Sequence, residues 1–383
     1  MPAFFVKTKE RIRTIIEGRD AGRWPHTSNI LSGASWVYGL LSQTRYRLYG
    51  RGMLKSRCLP CCVISVGNLT AGGTGKTPMT IYIARHLQSI GYRVVVLSRG
   101  YGGRAEKKGG IVSDGLRICM DPDSAGDEAF MMAAKLVGIP VLVGQDRYRS
   151  GVNAIRYFQA EVIVLDDGYQ HLRLQRDLNL LLLDARYPFG NGYLLPRGPL
   201  RVPISSSIRA DAIILTRCGP DNRVPALPKE IKATNRVFRS RHVPALFEAI
   251  RSREVTAGGG RLKMAPLDTA AILGTKVFGF SGIANNVDFR RSLLSLGVSM
   301  KGFLEFDDHH RYSDGDLETI QMRCRDEGAE WLATTEKDFY RLCHRFSPTV
   351  PLMVVSIEIE FFPNPEGFNA FVDNACQASD ARI

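Results

Sequence analysis

The chain has 383 residues, more than one hydrophobic core usually organises, so two domains are expected. Its composition, 44% hydrophobic and 23% charged with no low-complexity tract or internal repeat, excludes disordered, fibrous and solenoid classes. The net charge of +13 points to anionic partners, and the eight scattered cysteines, with no secretory signal, read as reduced thiols rather than a disulfide framework. Cys58-Leu-Pro-Cys61 has the spacing of half a zinc ribbon, but no second C-x-x-C completes four ligands, so apolar packing is the better reading.

Residues 1–57 carry eleven Lys/Arg against three acids, more than half of the total excess charge. The same segment holds an apolar stripe at helical spacing, Ile30, Ala34, Val37, Leu40, Leu41 and Leu48, with Trp36, Tyr38 and Tyr46 alongside. Ser, Gly and Gln interrupt it too often for a membrane span. A basic, aromatic-rich amphipathic helix suits the surface of an anionic membrane. It also fits a helix packed on the rest of the protein with a solvated basic face. A nucleic-acid arm fits less well, because the aromatics share the apolar stripe instead of alternating with basic residues.

From Cys58 onward, strand-like runs at 62–66, 93–98, 140–144, 162–166, 178–184 and 211–216 alternate with helical patterns at 77–90, 126–138 and 146–159. That alternation predicts a doubly wound, mostly parallel sheet in residues 58–216. Residues 217–270, rich in Pro, Gly and basic side chains and including Gly258-Gly259-Gly260, read as connector and surface loop. Alternation resumes with strands at 277–281, 299–305, 331–334 and 351–359 and helices at 287–296 and 315–328, so 217–383 is expected to hold a second, smaller α/β domain.

Ligands of parallel sheets sit at the carboxyl ends of strands, so post-strand residues carry the functional reading. Val63 to Val66 run into Gly67-Asn-Leu-Thr-Ala-Gly-Gly-Thr-Gly-Lys-Thr-Pro78, a glycine-dense turn that opens a helix. Its backbone N–H groups can wrap nucleotide phosphates, with Lys76 on the β/γ-phosphates and the Thr77 hydroxyl on Mg²⁺. Thr70 stands where G-x-x-x-x-G-K-[ST] has its first glycine, leaving Gly72, Gly73, Thr74 and Gly75 to form the turn. After 93–98 comes Ser98-Arg99-Gly100-Tyr101-Gly102, able to hold anionic or sugar groups, though an ordinary basic loop fits equally. Gly126-Asp127-Glu128 opens a helix, where acids also serve as caps. Asp166-Asp167-Gly168-Tyr169-Gln170-His171 ends an apolar strand in paired aspartates, the acidic strand end that holds Mg²⁺ beside a phosphate loop. Asp308-His309 lacks zinc spacing but offers an oriented base, or a solvated turn.

These clusters, in this order, resemble the tetraacyldisaccharide 4′-kinase (lipid A 4′-kinase) family of Gram-negative bacteria, over residues 30 to 360. Leu195-Pro-Arg-Gly-Pro-Leu-Arg201, Phe280-Ser-Gly-Ile-Ala284 and Thr334-Thr-Glu-Lys-Asp338 support the resemblance, and the Thr70 variant loop fits it. It implies ATP with Mg²⁺ held by Lys76, Thr77 and Asp167, with Asp166 as a further ligand. The acceptor it implies is the 4′-hydroxyl of an acylated glucosamine disaccharide 1-phosphate. Asp127 and His309 are then the proton-handling dyad, one from each domain, and Arg99, Tyr101, Gln170, His171 and Arg201 line the substrate. The family often has an acid after Arg201; here Val202 follows, so position 202 is left out of the site. The implied location is peripheral, on the cytoplasmic face of the inner membrane, with no nucleic-acid partner. A membrane-associated ATPase or GTPase switch acting on a protein partner is the alternative, and it gives Asp308-His309 no role.

Overall fold

In the computed structural model, residues 14–16, 25–219, 225, 227–228, 236–251 and 262–381 are described. In chain order the elements are α1 (Pro25–Gly50), β1 (Cys62–Asn68), α2 (Lys76–Ser89), β2 (Val94–Ser98), β3 (Gly110–Ser113), α3 (Pro122–Ala125), α4 (Asp127–Lys135), β4 (Val141–Val143), α5 (Arg147–Phe158), β5 (Val162–Asp166), β6 (Leu178–Asp184), β7 (Ala212–Thr216), β8 (Arg236–Arg251), β9 (Leu262–Pro266), β10 (Lys276–Ser281), α6 (Asn286–Ser295), β11 (Ser299–Glu305), α7 (Asp314–Asp326), β12 (Trp331–Thr335), α8 (Glu336–Leu342), β13 (Leu352–Phe362) and α9 (Pro365–Asp380). Every strand and helix expected between 62 and 359 forms, with ends within a few residues. The fold is α/β with mostly parallel strand pairing.

The chain gathers into two compact units that alternate along the sequence. One contains the described residues up to Val94, then Arg147–His242 and the chain from Glu360; the other contains Val95–Asp146 and Val243–Ile359. The consecutive blocks 58–216 and 217–383 are therefore not how the contacts divide. Residues 95–146 belong with the second half of the chain because α4 packs on α8, through the Phe130–Tyr340 rings (centroids 5.9 Å apart) and the buried Lys135–Glu336 ion pair at 2.9 Å.

In the first unit β1 lies between β5 and β6, with β7 and the start of β8 beyond β6, all parallel. β1, β5 and β7 are buried at every position, which is why they read as mostly apolar runs rather than alternating ones. The register Val66↔Asp166 and Asn68↔Leu182 puts the turn after β1 next to the paired aspartates at the end of β5. α9 covers the outer end of β1, where Cys62 Sγ lies 3.5 Å from Cys376 Sγ, and all eight cysteines are free thiols.

In the second unit β10 pairs in parallel with β11 and β12, and β12 with β13. β2 pairs in parallel with β4, which takes β3 antiparallel. The region expected to be irregular holds β8, whose end pairs antiparallel with β9. Arginines, Ser240 and Pro244 inside a half-exposed strand hid its pattern, while Gly258-Gly259-Gly260 lie outside the described residues. α8 and α9 were missed too, although Thr335 and Asn364 cap them through their side chains and Pro365 sits at the first helical position.

The helix expected in the basic N-terminal segment is α1, and its small polar stripe is the side that packs. Ser35 is buried and donates to Leu194 O (2.8 Å), Arg197 donates to Ser32 Oγ (2.6 Å), and Tyr38 donates to Arg201 O (2.8 Å). Ile30, Trp36 and Leu41 are 73%, 71% and 65% exposed. Among the described residues no helix is long and apolar enough to cross a membrane. A Cβ on Gly39 would sit 2.7 Å from Leu194 Cδ1. Gly39→Leu is therefore expected to weaken α1 docking by about 1–3 kcal/mol, seen as faster amide exchange over residues 30–45 with the core strands unchanged.

Candidate active site

The residues singled out from the sequence fall into two groups, one in each unit. In the first unit the turn after β1 is braced from several sides. Thr70 forms an antiparallel bridge with Leu200, while Ala71 N donates to Pro199 O (2.6 Å) and Arg201 N to Leu69 O (2.7 Å). Position 70 is thus extended and paired, a conformation that needs no glycine. Asn68 Nδ2 and Thr216 Oγ1 hold Thr74 through its hydroxyl and carbonyl, both at 3.0 Å. Gly75 has φ +84 and opens α2; a Cβ there would meet His242 Nε2 at 2.5 Å, so only glycine fits. Gly72 and Gly73 are exposed, and Thr77 is buried in the first turn of α2.

Lys76 Nζ lies 3.5 Å from Gly72 O and 3.7 Å from Asp167 Oδ1. Asp166 is buried and accepts from Thr80 Oγ1 (3.3 Å). Asp167 has φ +51, a left-handed conformation that non-glycine residues adopt at some energetic cost and that recurs at functional sites. Burial raises its pKa, but Lys76 and Arg201 more than offset that, and the carboxyl stays ionised below the usual range. Arg201 Nη1 donates to Asp167 Oδ2 (2.7 Å), whereas the buried Oδ1 receives no hydrogen bond. A buried carboxylate oxygen that accepts no hydrogen bond, with the Lys76 ammonium at the start of α2 3.7 Å away, is a hard-oxygen donor that fits Mg²⁺. Among the described residues no group of three or more His, Cys, Asp and Glu could hold a metal. Gln170 Nε2 donates to Asn68 O (2.6 Å), tying the aspartate string to the end of β1, and the His171 carbonyl accepts from Arg176 (2.9 Å).

In the second unit Asp127 and His309, 182 residues apart, meet with His309 Nδ1 2.9 Å from Asp127 Oδ2. Both lie in the same compact unit, which corrects the expectation that each comes from a different domain. Gly126 makes the approach possible. Its φ is +83, and a Cβ would stand 2.7 Å from Tyr101 O, so the Gly100-Tyr101 turn can lie against the start of α4. His309 has φ +60 and donates its N–H to Gly282 O (3.2 Å). Asp308, its sequence neighbour, is 4.0 Å from Nε2, so the partner of the histidine is the distant aspartate. Tyr101 is exposed with its ring in an edge-type contact with the His309 imidazole, and Arg99 is paired with Glu106 at 2.6 Å.

Sequence reasoning missed Arg341, which donates to Asp127 Oδ2 from Nε (2.8 Å) and Nη2 (2.6 Å). It stands in no motif; only its place four residues after Lys337 puts it on the same helix face. Burial would raise the Asp127 pKa, but hydrogen bonds from His309 and Arg341 and the Arg341 charge hold it far below the carboxylate range.

A model of the LpxK family, tetraacyldisaccharide-1-P 4′-kinase, matches residues 27–377. The chain belongs to this family. It is similar to the tetraacyldisaccharide 4′-kinase of Desulfatibacillum aliphaticivorans, 40% identical over 97% of this chain and 99% of that one. The tetraacyldisaccharide 4′-kinase of Syntrophus aciditrophicus is 42% identical over 94% and 96%. A crystal structure of LpxK from Aquifex aeolicus in complex with ATP matches with a TM-score of 0.73 at 30% identity, covering 91% of this chain and 99% of that one. Val202, left out of the site, is partly buried against the apolar cluster of Leu69, Tyr169 and Leu200.

Proposed function

We infer that this chain is an ATP- and Mg²⁺-dependent kinase that phosphorylates the 4′-hydroxyl of a tetraacylated glucosamine disaccharide 1-phosphate. Family membership supports the reaction, and the observation that carries its chemistry is the Asp127–His309 contact, an oriented carboxylate–imidazole pair built from distant chain segments. The loop from Thr70 to Thr77 wraps the phosphates of ATP, Lys76 neutralises their charge, and Thr77 and Asp167, with Asp166 behind them, hold the metal. Held by these residues, Mg²⁺ would supply positive charge to offset the charge that develops on the transferring phosphate. Asp127 and His309 take the hydroxyl proton as the new O–P bond forms, the bond from the γ-phosphorus to ADP breaks, and ADP leaves. Arg99, Tyr101, Gln170, His171 and Arg201 hold the acceptor. ADP release that depends on the acceptor tests this reading; equal ADP release without acceptor, stimulated by a protein partner, would favour the switch alternative.

The acceptor's acyl chains reside in a membrane leaflet, and the exposed apolar side of α1 supports peripheral attachment to an anionic inner-membrane surface. Replacing both Trp36 and Leu41 with serine removes two buried-on-docking side chains worth about 1.5–3 kcal/mol each. Sedimentation with anionic phospholipid vesicles is expected to fall at least about tenfold while soluble ATPase background stays unchanged. Unchanged sedimentation would rule out α1 as the contact.

A further inference from the structure

We propose that Lys337 and Arg341, one turn apart on α8, fix which imidazole nitrogen of His309 carries the proton and which carboxylate oxygen of Asp127 receives the proton of the acceptor. The inference rests on the reading of Asp127 and His309 as the proton-handling pair and assigns each of its atoms a role.

Lys337 Nζ stands 3.2 Å from His309 Nε2. An ammonium group has only hydrogens to offer, so Nε2 accepts; Arg341 Nη2 also lies 3.2 Å from Nδ1 but gives its hydrogen to Asp127 Oδ2 at 2.6 Å, which leaves the ring proton on Nδ1. From Nδ1 it points at Asp127 Oδ2, 2.9 Å away. Arg341 delivers two further donors to that same oxygen, at 2.8 and 2.6 Å. None of these three contacts goes to Oδ1, which is therefore the carboxylate oxygen left to accept the substrate proton. In this arrangement His309 orients and polarises the carboxylate rather than taking the proton at Nε2, which Lys337 covers.

The surrounding charges hold the two cations where they are needed. Lys337 is 3.5 Å from Asp308 Oδ1 and 3.7 Å from Glu128 Oε1, and Arg341 Nη1 donates to Asp338 Oδ1 at 3.0 Å. The Tyr101 ring packs nearby, its centroid 6.2 Å from that of the imidazole. Arg341 also shapes the backbone, because Nη1 donates to Gly282 O (3.1 Å), the carbonyl that accepts from His309 N. Among the described residues Lys337 makes no such backbone contact, so it separates positioning from folding more cleanly. The step balances: the 4′-oxygen forms its bond to the γ-phosphorus, its proton moves to Asp127 Oδ1, and the bridging oxygen leaves with ADP and the electron pair of the broken bond.

The test uses full-length wild type, Lys337→Met, Lys337→Arg and Asp127→Asn, labelled with [15N]histidine and assayed in parallel. Wild-type His309 is expected to show the Nδ1–H tautomer when neutral. Lys337→Met is expected to move it toward Nε2–H and to lower kcat about 30- to 100-fold, with KM for ATP changed less than about twofold. Lys337→Arg, which keeps a donor at that place, should retain the wild-type tautomer and most of the activity. An Nε2–H tautomer in the wild type overturns the proposal without any variant. So does an unchanged tautomer, or kcat within about twofold of wild type, in Lys337→Met. An active Asp127→Asn instead overturns the base assignment beneath it, whereas an inactive Asp127→Asn beside a fully active Lys337→Met overturns this inference alone.

Discussion

Asp127→Asn is expected to lower kcat by about 10²–10⁴ while KM for ATP stays close to wild type, because general-base assistance is lost without touching the phosphate loop. The amide keeps the size of the carboxylate, so Gly126 and the Gly100-Tyr101 turn need not move. Its nitrogen, however, offers a donor where Oδ2 now accepts from Arg341 at 2.6 and 2.8 Å. The charge matters as much as the shape. Held far below the usual range, Asp127 stays ionised at pH values where an ordinary aspartate, near about 3.9, is already titrating. An acid limb in the rate profile above about pH 4 is therefore expected to belong to another group. The sign for stability follows: a depressed folded-state pKa adds stability that is present above the unfolded value and is lost only as pH falls through the folded one. A kcat that survives Asp127→Asn within about threefold removes Asp127 from the chemistry.

Lys76→Met is the second large effect. The ammonium sits 3.7 Å from Asp167 Oδ1 and 3.5 Å from Gly72 O, folded onto the loop whose phosphates it would meet. Methionine keeps most of the stem and removes the charge. Transition-state charge on the transferring phosphoryl group then lacks one of its fixed counter-charges, and kcat/KM is expected to fall by about 10²–10³. Asp167 loses one of the cations that keep it ionised, so its pKa is expected to rise. Single-turnover phosphoryl transfer at saturating ATP separates the two contributions: a defect confined to binding disappears at saturation, and a defect in the chemical step persists.

How much of this was legible depended on whether a residue's role is local. The strands β1, β5, β6 and β7 could be read because they are buried on both faces and β-branched or leucine-rich over their length. The turn that opens α2 was legible from its glycines, and Thr70 is now explained by its pairing with Leu200, a partner 130 residues away that no local pattern announces. β8 was missed because half-exposed strands carry arginine and serine as readily as loops do. Asp127 and His309 were legible only through the family resemblance. Read alone, Asp127 is a helix-start acid and His309 appears paired with Asp308, whereas the fold gives it Asp127 instead. Arg341 could not have been found: its function is a contact made across α4 and α8, and a single arginine in a seven-residue helix has no signature. The N-terminal segment shows the opposite case. Its apolar stripe was plain in the sequence, but only the structure shows that the small residues Ser32, Ser35 and Gly39 face the protein and leave the stripe outside.

The most direct measurement of the central claim is transfer of labelled γ-phosphate from ATP·Mg²⁺ to a tetraacyl disaccharide 1-phosphate, followed as label appearing on the 4′-oxygen of the lipid. The account predicts acceptor-dependent label on the lipid with the wild-type chain and loss of nearly all of it with Asp127→Asn. Folded wild-type protein that hydrolyses ATP but leaves the lipid unlabelled would contradict it.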